Sequence, residues 1–360
     1  MSSVSDRKKE HLETALRPES QAGVGAGWDD VHLVPATLPE LSPEDVDASA
    51  VFAGTRLMAP LIIASMTGGH ADSMPINAAL ATAAERLGIG IGSGSQRAAL
   101  RDPSLRRTYA VIRENAPTTL VFANIGICQL VAQGPADPLE RADIEGAVEM
   151  LDAQMLIVHL NVAEELIQPE GDRALSGLLN ALEELCAWSP VPVVAKETGS
   201  GMPKEAVAAL ANAGVAAVDV GGAGGTSFAR IEGLRAEVQG DRRGARLGET
   251  FGDWGIPTAI SVLEAAPVGL PVVATGGVRN GLDAAKAIAL GAQAVGLGRA
   301  ILEAAMEDAD AVIDQLEMII EELRIAMVLT GCADLATLGS RTPVLTGMTR
   351  EWALQRDLVP

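Results

Sequence analysis

Eight short apolar runs recur along this 360-residue chain: LIIASM (61–66), IGIGSG (89–94), LVFANIG (120–126), MLIVHLN (155–161), PVVAKE (192–197), AAVDVGG (216–222), VVATGG (272–277) and AVGLGR (294–299). Each is too short for a typical helix and rich in β-branched or small residues. Segments of helical period lie between them, at 76–87, 104–115, 141–152, 174–187, 203–213, 257–266 and 281–290. Strand and helix alternating eight times predicts a closed parallel (β/α)8 TIM barrel, whose strands are buried on both faces. Gly88, Gly214 and Gly291 each follow a helical segment, where a left-handed cap favours glycine. The expected organisation is an N-terminal arm (1–57), a barrel (58–345) and a tail (346–360), with a glycine-rich inserted loop at 240–256 after strand 6. An amphipathic helix with a core-facing stripe is expected at about 309–330.

Barrel enzymes carry their chemistry at the C-terminal strand ends. Here those ends hold Ser65, Met66, Thr67, Ser95, Gln96, Arg97, Asn124, His159, Asn161, Lys196, Glu197 and a Gly-rich turn to Thr226, with Arg279 beyond. A ring of polar residues on an apolar scaffold predicts an enzyme.

Composition removes several alternatives. The net charge of −20, with only five lysines, argues against nucleic-acid binding and against a basic membrane-surface patch. It is compatible with a high-salt proteome or with an ordinary acidic surface. No apolar run approaches the ~20 residues of a bilayer span. The start, MSSVSDRKKEHLE, has charges but no apolar core, so no secretory signal is expected. Cys128, Cys186 and Cys332 are odd in number and lack ligand spacing, which predicts buried inert thiols and a cytoplasmic location. Any anionic substrate must therefore meet locally placed cations: Arg7, Lys8, Arg97, Lys196 and Arg279.

The segment 274–300 carries the strongest local signal. Strand 7 ends in Gly276 and Gly277, strand 8 in Gly298 and Arg299, and a helix follows each. Glycines let backbone amides approach a phosphate, and helix N-termini add positive potential. Two such loops after strands 7 and 8 form the usual phosphate site of these barrels. The run VGGAGGTSF (220–228) is a weaker candidate for contact with the same cofactor. His159 and Asn161 point to one side of strand 4. Glu164 and Glu165 follow, either as Mg2+ carboxylates beside a diphosphate or as the solvated start of a helix. Lys196, at the end of an apolar run, either faces the barrel mouth beside a flavin or forms an ion pair with Glu197 or Asp219.

With these residues in hand, the chain resembles the type 2, flavin-dependent isopentenyl-diphosphate delta-isomerases. The matching motifs, in order, are DRKKEHL, SMTGG, GSQR, ANIG, HLN…QPEGD, KETGSG, GGAGGTSF, DWGIPT and ATGGVRNG. The resemblance implies FMN in the barrel mouth, Mg2+, a flavin kept reduced by NADPH, and interconversion of isopentenyl and dimethylallyl diphosphates. It implies a homotetramer or homo-octamer. Carried over by motif, Arg7, Lys8, Ser95, Gln96, Arg97, His159, Asn161 and Glu164 would face the substrate. FMN would touch Ser65, Met66, Thr67, Gly68, Ser95, Asn124, Lys196 and Thr226, with its phosphate on Gly277, Val278, Arg279, Gly298 and Arg299. Glu165 would hold Mg2+. Lys196, His159, Glu164 and Glu232 would be catalytic. At one position the chain departs from the pattern: Glu164 stands where the family has Gln, and it is expected to be protonated if buried beside anions.

Moving a double bond adds a proton at one carbon and removes one at another. The chain has four histidines and no Cys–His pair. That scarcity points to the reduced flavin as the proton-exchanging group, with the protein supplying orientation and charge. Two other readings stand beside this one. An FMN-dependent 2-hydroxy-acid oxidase would place His159 and Arg97 on a substrate carboxylate. A prenyl-diphosphate-binding protein, inactive through Glu164, would bind without turnover.

Overall fold

The computed structural model describes residues 4–358, with side chains from residue 10. The eight predicted strands form one closed parallel barrel. They are β1 (Leu61–Ile63), β2 (Gly90–Gly92), β3 (Val121–Gly126), β4 (Met155–Leu160), β5 (Val193–Glu197), β6 (Ala217–Asp219), β7 (Val272–Thr275) and β8 (Ala294–Leu297). Closure is made by β8 on β1, with Val295 opposite Leu61. Because all neighbours are parallel, every strand ends on the same face, and the residues just past those ends form a single rim.

The barrel interior is filled by Ile62, Phe122, Ile157, Val194 and Val273, all buried. With so few aromatics, the fill depends on branched aliphatics, as is usual inside such barrels. Phe52 and Leu57 join this cluster from an antiparallel hairpin, Ala50–Phe52 with Thr55–Leu57. Phe52 meets Phe122 at a ring separation of 6.3 Å. The hairpin therefore plugs the base of the barrel, opposite the rim.

The arm also reaches the rim. Helix α1 (Val4–Ala15) packs on α3 (Phe228–Val238), the helix that follows β6. Between them in the chain, α2 (Ser73–Leu87) ends at Gly88, whose φ of 62° makes the left-handed cap expected there. Residues 21–25 return to the rim, where Ala22 N–H donates to Gly225 O at 2.9 Å.

One expectation is corrected. The segment after β6 is not a glycine-rich loop throughout, because α4 (Arg242–Thr250) forms within it and packs on α3. Its glycines are the contact surface. A Cβ on Gly233 would come within 2.8 Å of Gly248 Cα. The glycines that look like turn signals are what lets the two helices touch. Beyond β7, α5 (Gly281–Ala289), α6 (Arg299–Glu307) and α7 (Ala309–Leu329) complete the outer ring. In α7, Ile313, Leu316, Leu323 and Met327 are buried as the periodicity predicts, and Ile320 is partly buried. No helix among the described residues is long and apolar enough to cross a membrane.

Candidate active site

The strand ends open into one cavity of about 920 Å3, in the upper part of the range for cofactor and small-molecule sites. Register sets its floor. His159, Lys196 and Asp219 are successive cross-strand partners on β4, β5 and β6, so three polar side chains stand at one level. Lys196 Nζ lies 3.2 Å from Asp219 Oδ2 and donates to Glu197 O at 3.0 Å. Of the two pairings considered for Lys196, Asp219 is its carboxylate and Glu197 offers only its backbone carbonyl.

His159 Nδ1 lies 2.8 Å from Asn124 Oδ1. The Asn124 amide is oriented by its own donation to Ser93 O at 2.9 Å. An amide oxygen can only accept, so Nδ1 of His159 carries the proton. Gly126 makes room for this ring: a Cβ there would sit 2.9 Å from Nε2.

Glu197 is turned away from the cavity into its own loop. Its Oε2 accepts the backbone N–H of Gly199 at 2.6 Å and of Gly201 at 3.2 Å, with Ser200 N–H between them. Burial pushes its carboxyl up to about 7, against the pull of those amides and of Lys196.

One side of the cavity, past β6, β7 and β8, brings glycine loops and a helix N-terminus together. The loops after β6 and β7 touch backbone to backbone: a Cβ on Gly277 would meet Gly224 O at 2.5 Å, and its φ is 62°. Helix α6 begins at Gly298 with no side-chain cap, so its first amides remain available to an anion. Arg299 Nε, Thr275 Oγ1 and Ser65 Oγ are buried and without partners among the described residues, and all three residues line the cavity. Unsatisfied donors above a glycine cradle fit the phosphate and polar edge of FMN.

The opposite side, past β2 and β4, is built around charge. Arg97 bridges Asp172 with Nη1 at 2.6 Å and Nη2 at 3.4 Å. Asn161 Nδ2 donates to both Glu164 (2.9 Å) and Glu165 (3.0 Å). Glu165 also accepts Asp172 N–H at 2.7 Å and is buried, which raises its carboxyl above the usual range. A fixed carboxylate on a cavity wall, beside unpartnered Asn161 Oδ1 and Gln129 Oε1, fits Mg2+ held by one carboxylate and substrate oxygens.

Of the residues expected at the site, Ser65, Met66, Thr67, Gly68, Ser95, Arg97, Asn124, His159, Asn161, Glu164, Glu165, Lys196, Thr226, Gly277, Val278, Arg279, Gly298 and Arg299 all line this cavity. Gln96 does not. It is fully buried in the barrel wall, where Nε2 donates to Ala147 O at 2.8 Å and Oε1 accepts Asn124 N–H at 2.9 Å. Both ends of its amide are already paired, so its expected substrate contact is replaced by a structural one. Glu232 is 1% exposed and lies behind His11, bonded to His11 Nε2 at 2.6 Å and Arg235 Nη1 at 2.5 Å. Burial opposes its ionisation, but the charges and hydrogen bonds of His11 and Arg235 hold it below the usual range. It does not itself line the cavity but borders two residues that do, His11 and Glu164. The side chains of Arg7 and Lys8 lie outside the described residues. Sequence reasoning missed His11, Gln129, Gln168 and the 21–25 return, which all line the cavity. The signal for the last was the glycine spacing in QAGVGAG, and for His11 its place on the RKKEH helix.

Comparison with known proteins places this geometry. The family model for FMN-dependent dehydrogenases matches residues 159–344. The isopentenyl-diphosphate delta-isomerase of Methanosarcina barkeri is 46% identical over 357 residues, covering 99% of this chain and 96% of that protein. That of Methanococcoides burtonii is 47% identical over 360 residues (99% and 97%), and that of Archaeoglobus fulgidus 43% over 350 (97% and 98%). Among solved structures, a mandelate oxidase carrying a monooxide FMN adduct superposes with a TM-score of 0.58 at 20% identity, covering 94% of this chain and 92% of that one. Another mandelate oxidase structure gives 0.62 at 19% (96% and 100%); these likenesses speak to the barrel alone. With near-complete coverage at 43–47% identity, the chain belongs to the isopentenyl-diphosphate delta-isomerase family.

Proposed function

We propose that this protein interconverts isopentenyl and dimethylallyl diphosphates, with FMN as its flavin. The observation that carries the reading is the presence of two separate poles in one cavity. The glycine cradle past β6–β8 suits the cofactor phosphate. The Arg97, His159 and Glu165 side, past β2 and β4, suits a second, metal-bridged diphosphate. Reduced FMN, when bound, supplies a ring nitrogen able to exchange a proton with an alkene. The chain's own residues do the rest. Lys196, locked by Asp219, presents a fixed positive charge at the cavity floor. His159, held by Asn124, keeps Nδ1 protonated and orients its ring beside the substrate. Arg97 retains further N–H donors beyond the two on Asp172, and Glu165 holds Mg2+. By the family motif, Arg7 and Lys8 are further cations for the substrate diphosphate.

NADPH is the reductant in this reading, and the protein acts in the cytoplasm as a homotetramer or homo-octamer. Phe251 and Trp254, exposed after α4 and stacked edge to face, support self-association. The hydroxy-acid oxidase alternative leaves the buried Asn161–Glu165 pair on that side of the cavity without a role. The test is anaerobic NMR in D2O with FMN, NADPH, Mg2+ and isopentenyl diphosphate. Deuterated dimethylallyl diphosphate is expected. Absence of both isomerisation and deuterium uptake, with FMN bound and reduced, overturns the reading.

A further inference from the structure

We propose that His11, Glu164 and Glu232 bind one divalent transition-metal ion, which clamps helix α1 over the cavity. The three residues come from elements far apart in sequence: α1, the short helix Val162–Ile167 after β4, and α3. One ligand atom from each lies within 4.8 Å of the other two. An ion about 2.1 Å from each ligand would bring them to roughly 3–3.4 Å apart. His11 Nε2 and Glu232 Oε1, now hydrogen-bonded at 2.6 Å, would part by under an ångström with release of the shared proton to solvent, and Glu164 would close in from within 4.8 Å.

The surroundings prepare these ligands. Arg235 Nη1 holds Glu232 at Oε2, leaving Oε1 directed at His11 Nε2. The His11 ring is steadied by Phe228, edge to face at 6.2 Å. Such outer contacts fix the orientation of metal ligands. Charge favours a cation. Arg235 already faces Glu10, Glu170 and Glu232, and Glu164 adds a fourth carboxylate to the cluster. Asn161, 5% exposed, donates Nδ2 to Glu164 Oε2 and so steadies the third ligand.

The donor set selects the ion. One imidazole with two carboxylates suits Zn2+, Fe2+ or Mn2+ better than Mg2+, which prefers all-oxygen shells. The site is thus distinct from Glu165, whose oxygens face Asn161 and the Asp172 backbone. Three protein ligands leave further positions open. The consequence is mechanical: the ion ties α1 to the barrel at both the β4 and β6 sides of the mouth.

The experiment is calorimetric titration of Zn2+ into the full-length, FMN-loaded protein with Mg2+ in excess and no substrate. One Zn2+ per chain is expected. Glu164→Gln, which keeps size and loses charge, should weaken it roughly tenfold or more, as should His11→Ala, whereas Glu165→Gln should leave it in place. Flavin absorbance and circular dichroism establish that each variant is folded. Identical isotherms for wild type and Glu164→Gln overturn the proposal, as does loss of Zn2+ only in Glu165→Gln. The titration reads no turnover, so its outcome is separable from that of the isomerase reading.

Discussion

Lys196 on β5 and Asp219 on β6 are exact register partners, and their charges meet at 3.2 Å with each side chain 8% exposed. Removing one member of such a pair strands the other in a low-dielectric wall. Asp219→Ala is expected to lower stability by about 3–5 kcal/mol, read as a fall in the urea midpoint. The Lys196→Met, Asp219→Leu double variant should recover most of that stability while losing FMN affinity. A single variant with wild-type midpoint and flavin binding would show that the pair does neither job.

Gln96 separates a wall role from a substrate role. Replacement by Ala removes the Gln96 acceptor of the buried Asn124 N–H, an expected loss of about 1–3 kcal/mol, seen as a lowered melting temperature. KM for the diphosphate should hold. A raised KM at unchanged melting temperature would return Gln96 to the substrate.

The pH dependence of stability follows from Glu197. Its carboxyl is pushed up to about 7 in the folded chain, from an ordinary value of 4.5. Between those values the native state binds more protons than the unfolded state, so stability falls as pH rises. The contribution is full below about 4.5 and is lost by about 7, a change of roughly 3 kcal/mol. Glu197→Gln removes the titrating group. Comparing urea midpoints at pH 5 and pH 7.5, the decline should be smaller in the variant. Equal declines would mean that Glu197 is already ionised across this range.

Much of the fold was legible because a parallel barrel strand is buried on both faces and reads as a short continuous apolar run. LVFANIG and MLIVHLN carry that signature and became β3 and β4. Rim positions were legible too, since parallel strands all deliver their ends to one face. The insertion after β6 was not: in DRRGARLGE the glycines resemble turn residues, and only the partner helix shows that Gly248 must be small to meet Gly233.

Gln96 and Glu232 mark the limit at the site. At Gln96 the chain is leaving β2 for the helix Arg97–Arg101, and neither strand nor helix period says which way an amide points. Glu232 and His11 are 221 residues apart, and no local pattern couples them. The sequence by itself determined the barrel, the glycine loops past its last strands and the set of polar residues at its mouth, because burial period and glycine placement are local properties of a chain. The tertiary structure decided which polar groups face the cavity, which face each other, and what helix α1 closes upon. Those choices depend on register and on contacts between distant segments, and burial makes each unpaired alternative expensive.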